Sequence, residues 1–238
     1  MKIALTGGIA CGKSLFARYL SQLRVCIIDA DDVVHELEAP GGEAVVPIVK
    51  RFGESVRDAA GGIDRVALAK LVFSASGSAA CPARADLESI LFPLVRKRID
   101  EFFANAESDK RQATSDNPPS PRFPPSSRLR KANQKPEARN QKPCPAKIAI
   151  IPLLFESHWD TDYDIIVSLV SEREAQIRRM AETRGQSREE AEARIDAQMP
   201  VAEKAARAHY VIRNDSTPDA LRSEAERLVE WLESKTRG

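Results

Sequence analysis

The spacing of apolar residues changes sharply along the chain. Lys2–Thr6 is a short apolar run, Ser14–Leu23 repeats at helical spacing, and Val25–Asp29 is again a short run rich in Val and Ile. Short β-branched runs read as strands and i, i+3, i+4 spacing reads as amphipathic helix, so these segments predict one strand–helix–strand unit of a parallel sheet. Asp31–Glu38 predicts a short helix stopped by Pro40-Gly41-Gly42,. Glu43–Phe52 and Arg65–Phe73 follow as amphipathic helices separated by a turn at Asp58–Gly62. A longer helix is predicted over Arg84–Ala104, with Leu87, Ile90, Leu91, Leu94, Val95, Ile99 and Phe102 on its apolar face and a kink at Pro93,.

The second half repeats the alternation. Ile148–Leu153 and Asp164–Val170 are nearly continuous apolar runs, which predicts strands buried on both faces,. Glu172–Thr183 and Ser187–Ala197 predict helices around a turn at Arg184–Ser187, with Ser187 as cap and Glu190 completing a capping box,. Tyr210–Ile212 predicts a last short strand. Pro218–Leu232 predicts a closing helix, with Thr217 as cap and Pro218 at its first position,. Strands alternating with helices define an α/β class with a parallel core sheet.

Composition changes this picture at one place. The 238 residues carry 36 basic and 35 acidic side chains, a net charge of +1, which excludes a strongly basic nucleic-acid binder and an acidic tail protein,. The segment Ala106–Lys147 alone carries +6, and the rest carries −5. It also holds eight of the fifteen prolines and only two large apolar side chains, Phe123 and Leu129. Too few apolar groups remain there to offset the entropy of ordering, so 106–147 is expected to be a disordered, solvated, Pro-rich insertion. The sharper alternative is an electrostatic tether for an acidic partner or nucleic acid. The domain is then 1–105 with 148–238.

No apolar run approaches the roughly 18 residues that span a bilayer, and one lysine followed by Gly7-Gly8 leaves no room for a signal-peptide core,. Cys11, Cys26, Cys81 and Cys144 show no CxxC or metal-type spacing, and His35, His158 and His209 are isolated. A reduced, cytoplasmic protein without zinc is expected.

Three segments carry chemistry. Gly7-Gly8-Ile9-Ala10-Cys11-Gly12-Lys13-Ser14 satisfies G-x-x-x-x-G-K-[ST] between a predicted strand and helix,. Glycines there let the backbone wrap a phosphate, so amides from Ala10 through Cys11, Gly12, Lys13 and Ser14 to Leu15 are expected to point at β-phosphate oxygens of a nucleoside triphosphate. Lys13 is expected to reach the β/γ oxygens and the Ser14 hydroxyl to ligate Mg²⁺. Cys11 is read as a neutral occupant, although a thiol at a helix N-terminus can be reactive. Asp29-Ala30-Asp31-Asp32 lies at the carboxyl end of the second strand, where open parallel sheets bind ligands,. Asp29 and Asp32 suit helix capping, and Asp31 suits a base or metal-assisting role. Arg173, Arg178, Arg179, Arg184 and Arg188 form a basic helix and turn that reads either as a solvated face or as a phosphate-closing lid,.

Taken in order, these segments resemble the dephospho-CoA kinase family of P-loop, nucleoside-monophosphate-kinase-like enzymes. The resemblance runs from Lys2 to about Leu232, apart from the insertion. It rests on Leu5–Ile9 with Cys11–Ser14, on Ile28–Asp31 with Val34–Leu37 and Pro40-Gly41, and on Ile63-Asp64-Arg65 with Leu68, Val72 and Phe73. Pro152–Glu156 reads PLLFE, and Gln198-Met199-Pro200, Lys204, Ala208, Tyr210–Ile212 and Asn214 complete the pattern. It implies a three-layer P-loop kinase fold with a helical acceptor-binding region at 32–105 and a small helical lid at 171–200. It further implies transfer of the ATP γ-phosphate to the ribose 3′-hydroxyl of dephospho-CoA, the last step of CoA synthesis. Asp31 would be the base, Lys13 the γ-phosphate clamp and Arg184 the lid arginine, with Arg179 the other possibility. Asn214 would lie near the adenine, and Leu153–Glu156 would help shape the acceptor pocket. Small-molecule substrates, no nucleic acid and a monomer or weak homo-oligomer complete the expectation.

The chain departs from that pattern at three points. Phe92-Pro93 stands where His-Pro is frequent, Thr183-Arg184-Gly185 displaces the lid arginine by one position, and Arg213 replaces a common acidic residue before Asn214. Other readings on the residues alone are a different small-molecule or nucleotide kinase, or a nucleotide switch. The last lacks any N-K-x-D element for guanine.

Overall fold

The computed structural model of the chain describes residues 1–73, 82–105 and 144–236. Nearly all of the insertion, and Cys81, lie outside the described residues. Five parallel strands form the core sheet: β1 (Ile3–Gly7), β2 (Cys26–Asp29), β3 (Lys147–Ile150), β4 (Ile165–Val170) and β5 (Tyr210–Arg213), in the order β2-β3-β1-β4-β5. Register is continuous across the centre, with Ala4 opposite Ala149 on one side and Ile166 on the other.

Side-chain alternation along these strands builds two cores, one on each face. Ile3 and Leu5, Ile148 and Ile150, and Ile165, Val167 and Leu169 point to one face. There they meet Phe16 and Leu20 of α1 (Lys13–Gln22) and Leu221, Ala225, Leu228 and Leu232 of α9 (Pro218–Thr236). Ala4, Ala149, Ile151 and Ile166 point to the other. That face is covered by α2 (Ala30–Glu38), α3 (Val45–Phe52), α4 (Arg65–Phe73) and α5 (Pro82–Ala104), through Val33, Leu37, Ile48, Leu68, Val72, Leu91, Val95 and Ile99. This is the expected three-layer α/β architecture. Pro93 sits inside α5 without ending it. Phe92, beside it, packs edge-on against Trp159 with ring centroids 5.1 Å apart, so apolar packing occupies the point where the departure lies,.

After β4 come α6 (Arg173–Arg184) and α7 (Arg188–Asp196), in the segment 171–200 expected to be a lid, and then α8 (Val201–Ala206). Ser187 caps α7 as expected: its Oγ accepts from the Glu190 amide at 3.2 Å, and Glu190 Oε2 accepts from the Ser187 amide at 3.0 Å. One expectation is corrected. The strand expected over Ile148–Leu153 ends at Ile150. The Ile151 amide still donates to Leu5 O at 2.9 Å, but Pro152 has no N–H to continue the ladder, and the chain coils,. Ser157 N then bonds Leu153 O at 2.9 Å, a single turn that buries Leu154 and Phe155. The six-residue α8 is an addition, at a place where the apolar periodicity assigns no element.

Candidate active site

The site is built at the carboxyl ends of β1, β2 and β3. Gly12 is in the left-handed region at φ 94° and caps α1 without a side chain, and the first helical bond runs from the Phe16 amide to Gly12 O at 3.0 Å. The amides of Lys13, Ser14 and Leu15 therefore precede the helical ladder and face outward at the positive end of the helix dipole. A Cβ on Gly12 would stand 2.3 Å from Asn214 Nδ2, so the residue must be glycine for contact as well as conformation.

Lys13 Nζ donates to Gly7 O and Gly8 O, both at 2.9 Å. Burial pushes its ammonium below the ordinary lysine range, against opposing attraction from Asp31 and Asp29,. Across the cavity, Asp29 caps α2 by accepting from the Asp31 amide at 2.9 Å. Burial raises its carboxyl to about 6, outweighing that hydrogen bond. Asp31 is exposed in the first turn of α2, its carbonyl bonded to His35 Nδ1 at 2.6 Å. The Arg65 guanidinium contacts His35 Nε2 and pairs with buried Glu38 at 2.9 Å.

One cavity of about 700 Å³ gathers Ala10, Gly12, Lys13, Ser14, Leu15, Asp31, Arg184 and Asn214 together with Asp29, Pro152 and Gln198. The segment Leu153–Glu156, expected to help shape the acceptor pocket, lies off the cavity wall, which Pro152 lines instead. Of the residues expected at the nucleotide and catalytic positions, Cys11 stands apart. It is buried beneath the loop, its amide bonded to Gly8 O at 3.4 Å and its carbonyl accepting from Asn214 Nδ2 at 2.9 Å. Burial raises its thiol, which answers the question of reactivity: the neutral form is favoured,. Asn214 reaches the cavity, yet its amide holds the loop rather than standing free.

The two arginines separate. Arg179 Nη1 donates to Ser171 Oγ at 2.8 Å and to Ala10 O at 3.2 Å, and its Nη2 donates to Asn214 O at 2.5 Å. Arg184 is exposed at the last residue of α6, before Gly185 in the left-handed region. Arg173 and Arg188 pair with Asp196 and Glu174, and Arg178 lies 4.0 Å from Glu182, so three of the five arginines belong to an ion-paired surface. Sequence reasoning missed Gln176, which is 2% exposed on α6 with its Nε2 2.6 Å from Ile9 O. A signal existed: Gln176 occupies a position in register with Ile177 and Met180, where an apolar residue is expected,.

A parallel sheet with a strand–loop–helix phosphate cradle and a helical lid facing a carboxylate across one cavity defines a P-loop kinase. The family model for dephospho-CoA kinase matches residues 1–118 and 128–219. A dephospho-CoA kinase of Geobacter sulfurreducens is 34% identical over 233 residues, covering 98% of this chain and 97% of its own. One of Symbiobacterium thermophilum is also 34% identical, covering 94% and 78%. A Thermus thermophilus crystal structure superposes with a TM-score of 0.67 at 26% identity, covering 97% of both chains. The dephospho-CoA kinase of Campylobacter jejuni shares the fold with a TM-score of 0.54. The chain belongs to the dephospho-CoA kinase family. The family's reaction is phosphorylation of dephospho-CoA by ATP, the last step of CoA biosynthesis.

Proposed function

We propose that this chain transfers the ATP γ-phosphoryl group to the ribose 3′-hydroxyl of dephospho-CoA with Asp31 as base, Lys13 as phosphate clamp and Arg184 as the lid cation. The observation that carries this reading is the shared cavity, in which Asp31 lies with Lys13, Ser14, Leu15 and Arg184. The outward amides of Lys13, Ser14 and Leu15 receive nucleotide phosphates. Lys13 exchanges two neutral carbonyl acceptors for charged phosphate oxygens, which makes stronger, charge-assisted bonds,. The 3′-oxygen attacks the γ-phosphorus as the bond to the ADP oxygen breaks, and the Asp31 carboxylate takes the hydroxyl proton. Arg184 offsets charge developing on the transferred group.

The donor set suits Mg²⁺, a hard cation that prefers oxygen. The Ser14 hydroxyl is exposed in the cavity and would hold the ion together with oxygens of ATP itself. Among the described residues no group of three or more His, Cys, Asp or Glu side chains could hold a metal. When bound, Mg²⁺ neutralises charge on the β- and γ-phosphates.

The thiols of Cys11 and Cys144 are free, which fits a reducing cytoplasm,. Among the described residues no helix is long and apolar enough to cross a membrane. Incubation with ATP, Mg²⁺ and dephospho-CoA should give CoA and ADP, with a panel of other hydroxyl and nucleoside-monophosphate acceptors turned over far more slowly. A higher kcat/KM for another acceptor overturns the substrate assignment.

A further inference from the structure

The phosphate loop is held partly from outside itself. Both polar groups of the Ile9 peptide units are taken by side chains from the lid region. Gln176 Nε2 donates to Ile9 O at 2.6 Å, and Gln198 Oε1 accepts from Ile9 N at 3.1 Å. The backbone partners settle which amide atom is which, since a carbonyl needs a donor and an N–H needs an acceptor. Gln176 also reaches Cys11 Sγ at 3.4 Å. A Cβ on Gly8 would lie 2.7 Å from Gln176 Nε2 and 2.7 Å from Val201 Cγ2, so the lid packs against the loop there. Ile9 and Ala10 also join the small apolar cluster of Ile177, Met180 and Ala191, which belongs to α6 and α7. Ala10, which carries φ 56°, is held in that rare conformation between these grips,.

Resting on the reading of this cavity as the ATP site, we propose that Gln176 and Gln198 are positioning residues that hold the phosphate loop in its binding shape and register it to the lid. Gln176 and Arg184 share α6, eight residues or about 12 Å apart along its axis,. One helix thus fixes the loop at one end and carries the lid cation at the other. A loop held this way loses little freedom when phosphate arrives, and a loop released from it must be ordered by the nucleotide. The effect falls on ATP and not on the acceptor, because the side-chain hydrogen bonds of both glutamines go to the phosphate loop.

Gln176→Met and Gln198→Met keep side-chain length while removing the hydrogen bond. ADP affinity by calorimetry, the KM for ATP, the KM for dephospho-CoA and the melting temperature would be measured on the full chain. Each variant should weaken ADP binding and raise the KM for ATP at least fivefold, with the KM for dephospho-CoA within twofold of the parent value. Since both grips act on one peptide, the double variant should lose less than the product of the single effects. Unchanged ADP affinity, or a parallel rise in both KM values, overturns the proposal and leaves a merely structural role. Gln198 is only half-buried, so its variant decides the matter even where Gln176→Met does not fold. Failure of the parent chain to bind ADP would instead remove the ATP-site reading, and this inference with it.

Discussion

Lys204 Nζ lies 2.8 Å from Glu156 Oε1, and its side chain is wholly shielded from solvent. It also donates to Pro152 O at 3.0 Å, while Glu156 Oε1 accepts from the Met199 amide at 3.0 Å. The pair ties the coil after β3 to α8 and so fixes the Pro152 wall of the cavity. Removing one member of a buried pair strands the other charge, which costs about 3 kcal/mol. Lys204→Met should therefore lower unfolding free energy by about that amount in urea. Lys204→Met with Glu156→Gln, which leaves no unpaired charge, should recover about half. A single variant as stable as the parent would show that the pair contributes nothing net.

The Asp29 carboxyl gives stability a defined pH dependence. Its folded value of about 6 stands above its ordinary 3.8, so between these values the folded chain binds more protons than the unfolded one,. The contribution is fully present below 3.8 and is lost as pH rises through 6. Asn at this position keeps an oxygen to cap the Asp31 amide and removes the titration. Asp29→Asn should thus gain about 1 kcal/mol on the parent between pH 4 and pH 7, allowing for solvent screening of a partly exposed group. Chemical denaturation across that range checks this; a constant difference between the two chains would locate the effect elsewhere.

Asp31 is expected to act on turnover alone. It caps nothing with its carboxylate, whereas its amide is already held by Asp29. Asp31→Asn should lower kcat at least a hundredfold while the KM for ATP changes less than threefold, the pattern of a group needed in the transition state. A variant with full turnover would remove Asp31 from the chemistry.

These expectations differ in how far the sequence foretells them. The phosphate loop, the α2 cap and the capping box of α7 are local devices, readable because each is set by residues adjacent in the chain. The two faces of the sheet follow from alternation, as in Ile3, Ala4 and Leu5. What escaped is carried by long-range contacts. The partner of Gln176 is 167 positions away, and the partner of Lys204 is 48 or 52 positions away in the coil that replaces the expected end of β3. A buried lysine or glutamine can interrupt the apolar period, as Gln176 does, but the period does not say what it touches, and its role exists only once the sheet has brought β1, β3 and the lid together.

Gly12 is where local and long-range demands meet. Its φ of 94° and the 2.3 Å approach of Asn214 Nδ2 to any added Cβ act together. Gly12→Ala should strain the backbone and expel the Asn214 amide from Cys11 O, weakening ATP binding more than tenfold by calorimetry. Asn214→Ala in the parent loop should reproduce only part of that loss, because it removes the hydrogen bond and leaves the backbone unstrained. Equal losses would assign the whole effect to the hydrogen bond.

The two lid arginines provide the last separation. Arg179 satisfies three acceptors on the loop, Ser171 and Asn214, so truncation leaves partly buried oxygens without partners,. Both arginines line the cavity, with Arg178 beside them, and Arg184 is exposed where Arg179 is partly buried. Arg184→Ala should lower kcat about a hundredfold with the melting temperature and the KM for dephospho-CoA unchanged, as for a cation needed when charge develops. Arg179→Ala should cost about 2 kcal/mol of stability and raise the KM for ATP through the loosened loop. Were Arg179→Ala to lose turnover at unchanged stability while Arg184→Ala kept it, the transferring cation would be Arg179. The one-position shift of the lid motif would then have moved the function back along α6. Steady-state kinetics and thermal melts of the two single variants, measured side by side, distinguish these assignments.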